Sequence, residues 1–121
     1  MIRMLWILLM LAAAPALADP AATGALNRYR AGAGAAPLTY SPVLERAAEV
    51  HARDMATKGY FAHEGRDGSS VGTRVAAQGY GWCVVAENIA KGQRDLAEVL
   101  QAWAKSRGHR RNLLNREVTE F

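Results

Sequence analysis

The alternation of apolar and polar positions after residue 19 predicts a chain built mainly of helices. Residues 20–30 predict a first helix, which ends at the glycine-rich stretch that follows. A second helix is expected between Ser41-Pro42, a capping serine followed by a proline suited to the first turn, and Gly59, which accepts the left-handed cap conformation. Its buried stripe recurs at helical spacing and is expected to comprise Leu44, Ala48, His51 and Met55.

A third helix is predicted within residues 70–78, with Ser69 or Ser70 as its cap. Gly72 lies inside this helix and is expected to weaken it by about 1 kcal/mol relative to alanine. Residues 109–114 predict one further short turn of helix.

The remaining elements are a fourth helix and two extended segments. Asp95-x-x-Glu98 is a variant of the capping box and opens the helix. Residues 82–89 are rich in aromatic and β-branched side chains, which predicts a strand. Residues 118–121 resemble the start of another strand, for which the sequence shows neither a turn nor a partner.

Composition limits the class of protein. The 121 residues allow one domain, and a hydrophobic content of 50% is too high for a disordered chain. The single cysteine, Cys83, excludes an intramolecular disulfide; it is expected to pack as a small apolar residue, with intermolecular pairing left open. Four aromatic side chains are expected in the core, and these are Tyr60, Phe61, Tyr80 and Trp82.

The first 18 residues have the pattern of a secretory signal peptide. A basic start with Arg3 precedes an unbroken apolar run and the small-x-small site Ala16-x-Ala18. The run is too short for a membrane span, which needs about 18 or more apolar residues. We therefore expect a signal peptide over residues 1–18, a folded domain over residues 19–121 without a transmembrane segment, and export to the periplasm or the extracellular medium.

A basic cluster follows the fourth predicted helix. The formal net charge of the chain is +4, which slightly favours anionic surfaces. The cluster consists of Lys105, Arg107, Arg110, Arg111 and Arg116. Two interpretations stay open, a solvated face and contact with a lipid or another anionic component of the cell envelope. Nucleic acid is not expected as a partner, because an exported chain without a reading helix or a stacking platform offers it no binding mode.

Six short motifs occur in register along most of the exported part of the chain. They are YFAH at 60–63, DGSS at 67–70, Arg74, GY at 79–80, AENIA at 86–90 and WxxSxGHRxNLL at 103–114. Together they resemble the bacterial branch of the CAP superfamily, the SCP domain shared with cysteine-rich secretory proteins and plant pathogenesis-related proteins. The resemblance covers about residues 26–121.

The resemblance implies an α+β fold, an α-β-α sandwich in which helices flank a small antiparallel sheet. Members of the family continue beyond the region of Thr119 and Glu120 with a Gly-rich strand and a final aromatic strand. We therefore expect the domain over residues 19–121 to be incomplete at its C-terminus, with its last strands missing.

The resemblance also implies a cleft with two histidines and two acidic residues. By motif position, His63 corresponds to the first histidine and Glu87 to the first acid. The position of the second acid holds Ser106, and the second histidine belongs to the strand expected to be missing. His109 and Glu120 are candidate substitutes.

An imidazole and a carboxylate that meet in a cleft have three uses. They hold a divalent metal (zinc, calcium or magnesium), form a charge-assisted pair, or act as a base and its orienting group. Ser69 or Ser70 beside this pair would complete a Ser-His-Glu relay. Asn88 is expected to satisfy backbone groups of the turn that follows it. A carboxylate at position 87, in an apolar segment, needs a partner.

The function expected from these residues is a non-catalytic, exported binding module, with a lipid, a cell-envelope component or a metal in the His63–Glu87 cleft. A secreted hydrolase, metal-assisted or serine-based, is the alternative. Zinc catalysis normally uses three protein ligands, and two are identified here, which favours binding over catalysis.

Overall fold

The computed structural model describes residues 19–121, so the signal peptide expected over residues 1–18 lies outside the described residues. Five helices follow one another along the described part of the chain: α1 (Pro20–Gly32), α2 (Pro42–Lys58), α3 (Val71–Ala77), α4 (Leu96–Lys105) and α5 (Arg107–Leu113). Within this part of the chain, no helix combines the length and the apolar character needed to cross a membrane.

The first three helices begin at side-chain caps, whereas α5 begins at Arg107, two residues before its predicted start at 109, without a side-chain cap. Asp19 accepts a hydrogen bond from the amide of Ala21 at the start of α1, and Ser41 caps α2 before a proline in the first turn. Gly59 ends α2 with φ +67°, a left-handed conformation that an L side chain rarely adopts. Ser70, and not Ser69, caps α3, through a reciprocal capping box with Thr73.

The capping box predicted for α4 is formed in a shifted version. Asp95 accepts the amide of Glu98 at 2.9 Å, as expected. The Glu98 carboxylate, however, accepts the amide and the guanidinium of Arg94, one residue before the cap. Backbone and side-chain donors therefore share this one carboxylate, and they hold its pKa below the ordinary glutamate value.

The core lies where α1 meets α4 and α5. Its buried members are Leu26, Leu38 and Leu113. Around them pack the partly buried side chains of Tyr29, Leu100, Trp103, Val118 and Phe121. Asn27 fixes the chain at Leu38 by exchanging two hydrogen bonds with its backbone, at 2.8 and 3.0 Å. The amide side chain thus satisfies both backbone groups of Leu38.

A buried arginine joins the two ends of the domain. Arg30, with 1% of its surface exposed, donates to the carbonyls of Ala36 at 2.7 Å, Leu113 at 2.7 Å and Asn115 at 3.0 Å. Burial, and secondarily the nearby charge of Arg116, lower the pKa of Arg30. Three carbonyls and no carboxylate therefore compensate the burial of this charge.

The expected antiparallel sheet is not formed within residues 19–121. Residues 82–89, predicted as a strand, run without helix or strand structure, and their backbone amides make no hydrogen bond to another part of residues 19–121. The prediction that residues 118–121 lack a partner is wrong: Glu120 forms an isolated parallel bridge with Thr39, flanked by hydrogen bonds of Ser41 and Phe121. The segment after α1 thus supplies the partner, which a pattern of apolar positions does not reveal.

Several side chains expected in the interior are exposed. Phe61 and Trp82 are 46% and 43% exposed, whereas Tyr60 and Tyr80 are partly buried through hydrogen bonds to Asp54 and Glu120. Cys83 is an exposed free thiol, so the expectation that it packs as a small apolar residue is wrong. Trp82 and Cys83 are exposed for one reason, because residues 81–84 lie at the surface without a neighbouring strand to cover them.

The buried face of α2 is shifted by one residue from the predicted stripe. Ala47 and His51 are buried, Leu44 and Met55 are partly buried, and Ala48 is exposed. His51 donates from Nε2 to the carbonyl of Ala62 at 2.8 Å, as expected of a structural histidine. Since Leu44, Ala47 and Ala48 face a cavity, this stretch of α2 is only partly covered by protein.

Gly72 is required for side-chain packing, although glycine is unfavourable inside a helix. The indole of Trp82 lies on α3 and donates from Nε1 to the Gly72 carbonyl at 3.0 Å. A Cβ atom on residue 72 would lie 2.4 Å from Cζ2 of this rigid ring. Close packing of the indole therefore requires glycine at this position, and it explains why a residue unfavourable to helices occurs here.

Replacing Arg30 by methionine is expected to lower the free energy of unfolding by about 3 kcal/mol, because the variant leaves carbonyl groups without their donor. Urea denaturation of the full-length chain followed by circular dichroism measures the change. The matched control is Arg28→Met on the same helix, where the side chain is exposed and a change within about 0.5 kcal/mol is expected. Equal stabilities of the two variants would show that Arg30 is not the tie between the chain ends.

Gly72→Ala is expected to destabilise the protein by about 1–3 kcal/mol, although alanine is the better helix former, because the new methyl group displaces the Trp82 ring. Thermal unfolding monitored by tryptophan fluorescence reports both the stability and the environment of the ring. Gly108→Ala in α5 is the control, since a Cβ there meets no atom within 4 Å and should stabilise the helix. A stabilised Gly72→Ala variant contradicts the packing argument.

Candidate functional site

The two residues predicted to share a cleft are in direct contact. Nδ1 of His63 lies 2.8 Å from Oε1 of Glu87, although 24 positions separate the residues in sequence. His63 lies in the loop between α2 and α3, and Glu87 lies in the extended segment between α3 and α4. The imidazole side chain is 59% exposed and the carboxylate side chain is 14% exposed. The ring therefore faces solvent while its partner is held inside.

Arg74 of α3 completes a chain of three charged or titratable groups. Its Nη2 donates to Oε2 of Glu87 at 2.8 Å, and its Nη1 donates to the carbonyl of Ser69 at 2.9 Å. The arginine side chain is only 10% exposed. Both carboxylate oxygens of Glu87 are therefore engaged, one by Arg74 and the other by His63. This satisfies the expectation that a carboxylate at position 87 requires a partner.

Side chains of α5 hold the backbone that carries Glu87. Asn112 donates from Nδ2 to the carbonyl of Glu87 at 3.3 Å and to Oδ1 of Asn88 at 2.9 Å. Asn88 donates in turn to the carbonyl of His109 at 3.1 Å. Asn88 thus serves α5 and not the turn after it, because the extended segment lies across that helix.

The junction of α4 and α5 supports the same segment. Trp103 donates from Nε1 to the carbonyl of Ile89 at 3.1 Å. His109 stacks on the Trp103 ring, with the ring centroids 6.3 Å apart, and shares a hydrogen bond of 2.9 Å with the hydroxyl of Ser106. His109, a candidate substitute ligand, is therefore occupied in packing and in this side-chain hydrogen bond.

A cavity of about 590 Å³ adjoins the charged cluster. Most of its wall is apolar and comes from all five helices and the 81–88 segment; among the lining residues are Leu26, Leu44, Ala47, Val75, Leu100 and Phe121. Glu87, Arg74, Asn88 and Glu120 also line it. The Glu87–Arg74 pair thus forms part of the cavity wall, whereas His63 is exposed and does not line the cavity.

Glu120 also lines the cavity, and its hydrogen-bond partner is Tyr80. Its carboxylate accepts a hydrogen bond from the hydroxyl of Tyr80, and this bond raises the pKa of Tyr80. Within residues 19–121, Glu120 makes no hydrogen bond to His63 or Glu87. It lines the cavity and bonds to Tyr80 instead of completing a ligand set.

The two candidate serines belong to the framework of the α2–α3 loop. The Ser70 hydroxyl caps α3 together with Thr73. The Ser69 hydroxyl lies 3.5 Å from Nη1 of Arg74, and neither hydroxyl is hydrogen-bonded to His63 in the described part of the chain. A Ser-His-Glu relay is therefore not assembled in this structure.

The donor set does not fit a resident divalent metal. Among residues 19–121, no group of three or more His, Cys, Asp or Glu side chains is placed to hold an ion. In the one pair that is formed, Arg74 already occupies an oxygen of Glu87. Zinc sites use three or four protein ligands, and calcium sites use six to eight oxygens.

Sequence reasoning identified the contact of His63 with Glu87 but assigned no role to Arg74 or Asn112. Both residues stand inside the motifs quoted for the family resemblance. The available signal was chemical: a buried carboxylate in an apolar segment calls for a cation and a donor, and one arginine and one asparagine occur in the flanking motifs.

Comparison with known proteins places this geometry in a family. The family model for the cysteine-rich secretory protein family, CAP, matches residues 23–121. Two curated proteins of Bacillus subtilis strain 168 are similar over 95 residues, or 78% of this chain: the uncharacterized protein YkwD at 37% identity and the uncharacterized membrane protein YlbC at 30%. The matched region spans only 37% of YkwD and 28% of YlbC.

Two solved structures share the fold. An extracellular protein containing an SCP domain from Bacillus anthracis strain Ames superimposes with a TM-score of 0.80 at 30% identity, over 83% of this chain and 34% of that one. An outer surface protein from Borrelia burgdorferi superimposes with a TM-score of 0.73 at 21% identity, over 81% and 72% of the two chains. With a family model that matches nearly all of the described residues, the chain belongs to the cysteine-rich secretory protein (CAP) family, in its bacterial branch.

Proposed function

We propose that this CAP domain is an exported, non-catalytic binding module that takes an amphipathic, lipid-like ligand into the cavity beside Glu87 and Arg74. The observation that carries the proposal is the composition of the cavity wall, which is mainly apolar with one buried ion pair. Apolar pockets with a few fixed polar groups are the usual form of small-molecule sites, and 590 Å³ lies within their normal size range.

Export is part of the same proposal. The signal-peptide pattern of residues 1–18 supports it, and so does the location of the two structural relatives, one described as extracellular and the other as an outer surface protein. In the periplasm or the medium, lipids and other envelope components are the available amphipathic ligands.

Hydrolysis is the weaker alternative. An imidazole oriented by a carboxylate is the base half of a nucleophilic relay, and Glu87 does orient His63. No serine is positioned as the nucleophile among the described residues. The Ser70 hydroxyl caps α3, and the Ser69 hydroxyl lies 3.5 Å from Nη1 of Arg74. The arrangement therefore favours ligand binding over covalent catalysis.

The basic cluster supports a second contact, with the head groups of an anionic membrane surface. Its five cations are Lys105, Arg107, Arg110, Arg111 and Arg116, all of which are exposed. None of them takes part in the ion pairs formed within residues 19–121. Basic side chains near an anionic membrane contribute about 1 kcal/mol each, so such a cluster is sufficient for reversible association.

Ala48→Phe is expected to weaken binding of a fluorescent fatty acid by about tenfold or more, because the aromatic ring fills part of the cavity. Fluorescence titration of the full-length chain with cis-parinaric acid measures the Kd. Ala52→Phe is the matched control, since Ala52 is exposed on the same helix, one turn away, and does not line the cavity. No saturable binding to the unmodified chain, or equal Kd values for the two variants, would refute a cavity ligand.

Reversing two charges with Arg110→Glu and Arg111→Glu is expected to reduce binding to phosphatidylglycerol-containing vesicles by about tenfold or more. Vesicle co-sedimentation at low and high salt measures the effect, which should fade as salt rises. The control pair is Arg46→Glu and Arg53→Glu on the exposed surface of α2. Similar losses for both pairs would mean that net charge alone governs the contact, and equal binding to phosphatidylcholine vesicles would exclude head-group recognition.

A further inference from the structure

Arg74 links three parts of the site through one nearly buried guanidinium. It lies on α3, donates to the Ser69 carbonyl just before that helix, and forms an ion pair with Glu87. The capping box of Ser70 fixes the first turn of α3, so the arginine projects from a well-defined helix. The position of the Glu87 carboxylate is therefore set from α3 on one side and from Asn112 on the other.

This arrangement decides which nitrogen of His63 carries a proton. A carboxylate paired with an arginine is ionised and can only accept hydrogen bonds. The 2.8 Å contact between Glu87 and Nδ1 of His63 therefore requires the proton on Nδ1. In the neutral ring the lone pair is then on Nε2, on the opposite side of the imidazole from Glu87. The exposed ring thus offers a ligand one hydrogen-bond acceptor.

The same arrangement disfavours a divalent cation. An ion bound by both Nδ1 of His63 and Glu87 would have to displace the Nδ1 proton and would lie close to the positive charge of Arg74. Like charges at such short range repel, and a divalent ion is repelled more strongly than a monovalent one. No third ligand in the described residues compensates this cost. An ion at Nε2, the nitrogen that a carboxylate partner at Nδ1 leaves free, would find no group of three His, Cys, Asp or Glu ligands among residues 19–121.

We propose that Arg74 is a positioning residue that commits the His63–Glu87 pair to hydrogen-bond chemistry through Nε2, in place of the divalent-metal site that the family resemblance implies. The inference goes beyond the proposed function, because His63 does not line the cavity. It concerns a single residue of this chain, and neither the cavity nor the basic cluster enters it.

Nitrogen NMR of the full-length, ¹⁵N-labelled chain tests the proposal, because the imidazole shifts distinguish the two tautomers. The unmodified chain should show His63 protonated at Nδ1. Arg74→Met should shift the population toward the Nε2-protonated form, and Arg74→Lys should restore it in part because the ion pair is retained. Arg66→Met is the control, since Arg66 is exposed and lies over the Tyr60 ring. The same tautomer in the unmodified chain and in Arg74→Met would overturn the positioning role.

A zinc titration tests the second half of the proposal. The unmodified chain should show no saturable zinc shift at His63 at equimolar metal, and Arg74→Met should bind zinc about tenfold or more tightly than the unmodified chain. The gain should disappear when His63→Ala is added. Saturable zinc binding at His63 and Glu87 of the unmodified chain refutes the inference, and this measurement is decisive even if Arg74→Met does not fold. Neither experiment uses a lipid probe, so failure here and failure of the proposed cavity ligand are separate results.

Discussion

The buried guanidinium of Arg30 is the constraint on which the rest of the domain depends. It places a full charge in the interior of the domain, and it is compensated only by backbone carbonyls. Two of these carbonyls, of Leu113 and Asn115, are at the end of α5. A charged donor contributes about 1.5–3 kcal/mol per hydrogen bond, which is comparable to the burial of one leucine, so this one side chain adds substantially to the packing that fixes α5 against α1.

The geometry of the candidate site depends on the contact of Arg30 with the end of α5. α5 is held by Arg30, and Asn112 on α5 holds the backbone of Glu87. Glu87 then orients His63. Because residues 82–89 have no strand partner within the described chain, side-chain donors of α4 and α5 hold this segment in the way that a β-ladder normally does. The geometry of the site therefore depends on amide and indole side chains and on one helix.

Much of this could be predicted from the sequence. The helices follow from caps and periodicity, since Ser41, Gly59 and Asp95 act locally on their own neighbours in the chain. The contact of His63 with Glu87 followed from a family resemblance, and no local rule would have found it. The parallel pairing of Glu120 with Thr39 and the exposure of Trp82 could not be predicted, because both depend on which distant segment is available to cover an edge. Arg74 was present in a motif, but its role is visible only when its distance to Glu87 is known.

The difference between a metal centre and a hydrogen-bonding pair at this site lies in the partner of the carboxylate, and not in the histidine or the glutamate. A free carboxylate beside an imidazole attracts cations, whereas a carboxylate already neutralised by an arginine gives up most of that attraction. His63 and Glu87 would match a metal-binding motif in either case. A third residue on another helix thus changes the chemistry open to the same two residues: a motif match names the family, and the ion pair of Arg74 with Glu87 is the proposed determinant of what the site binds.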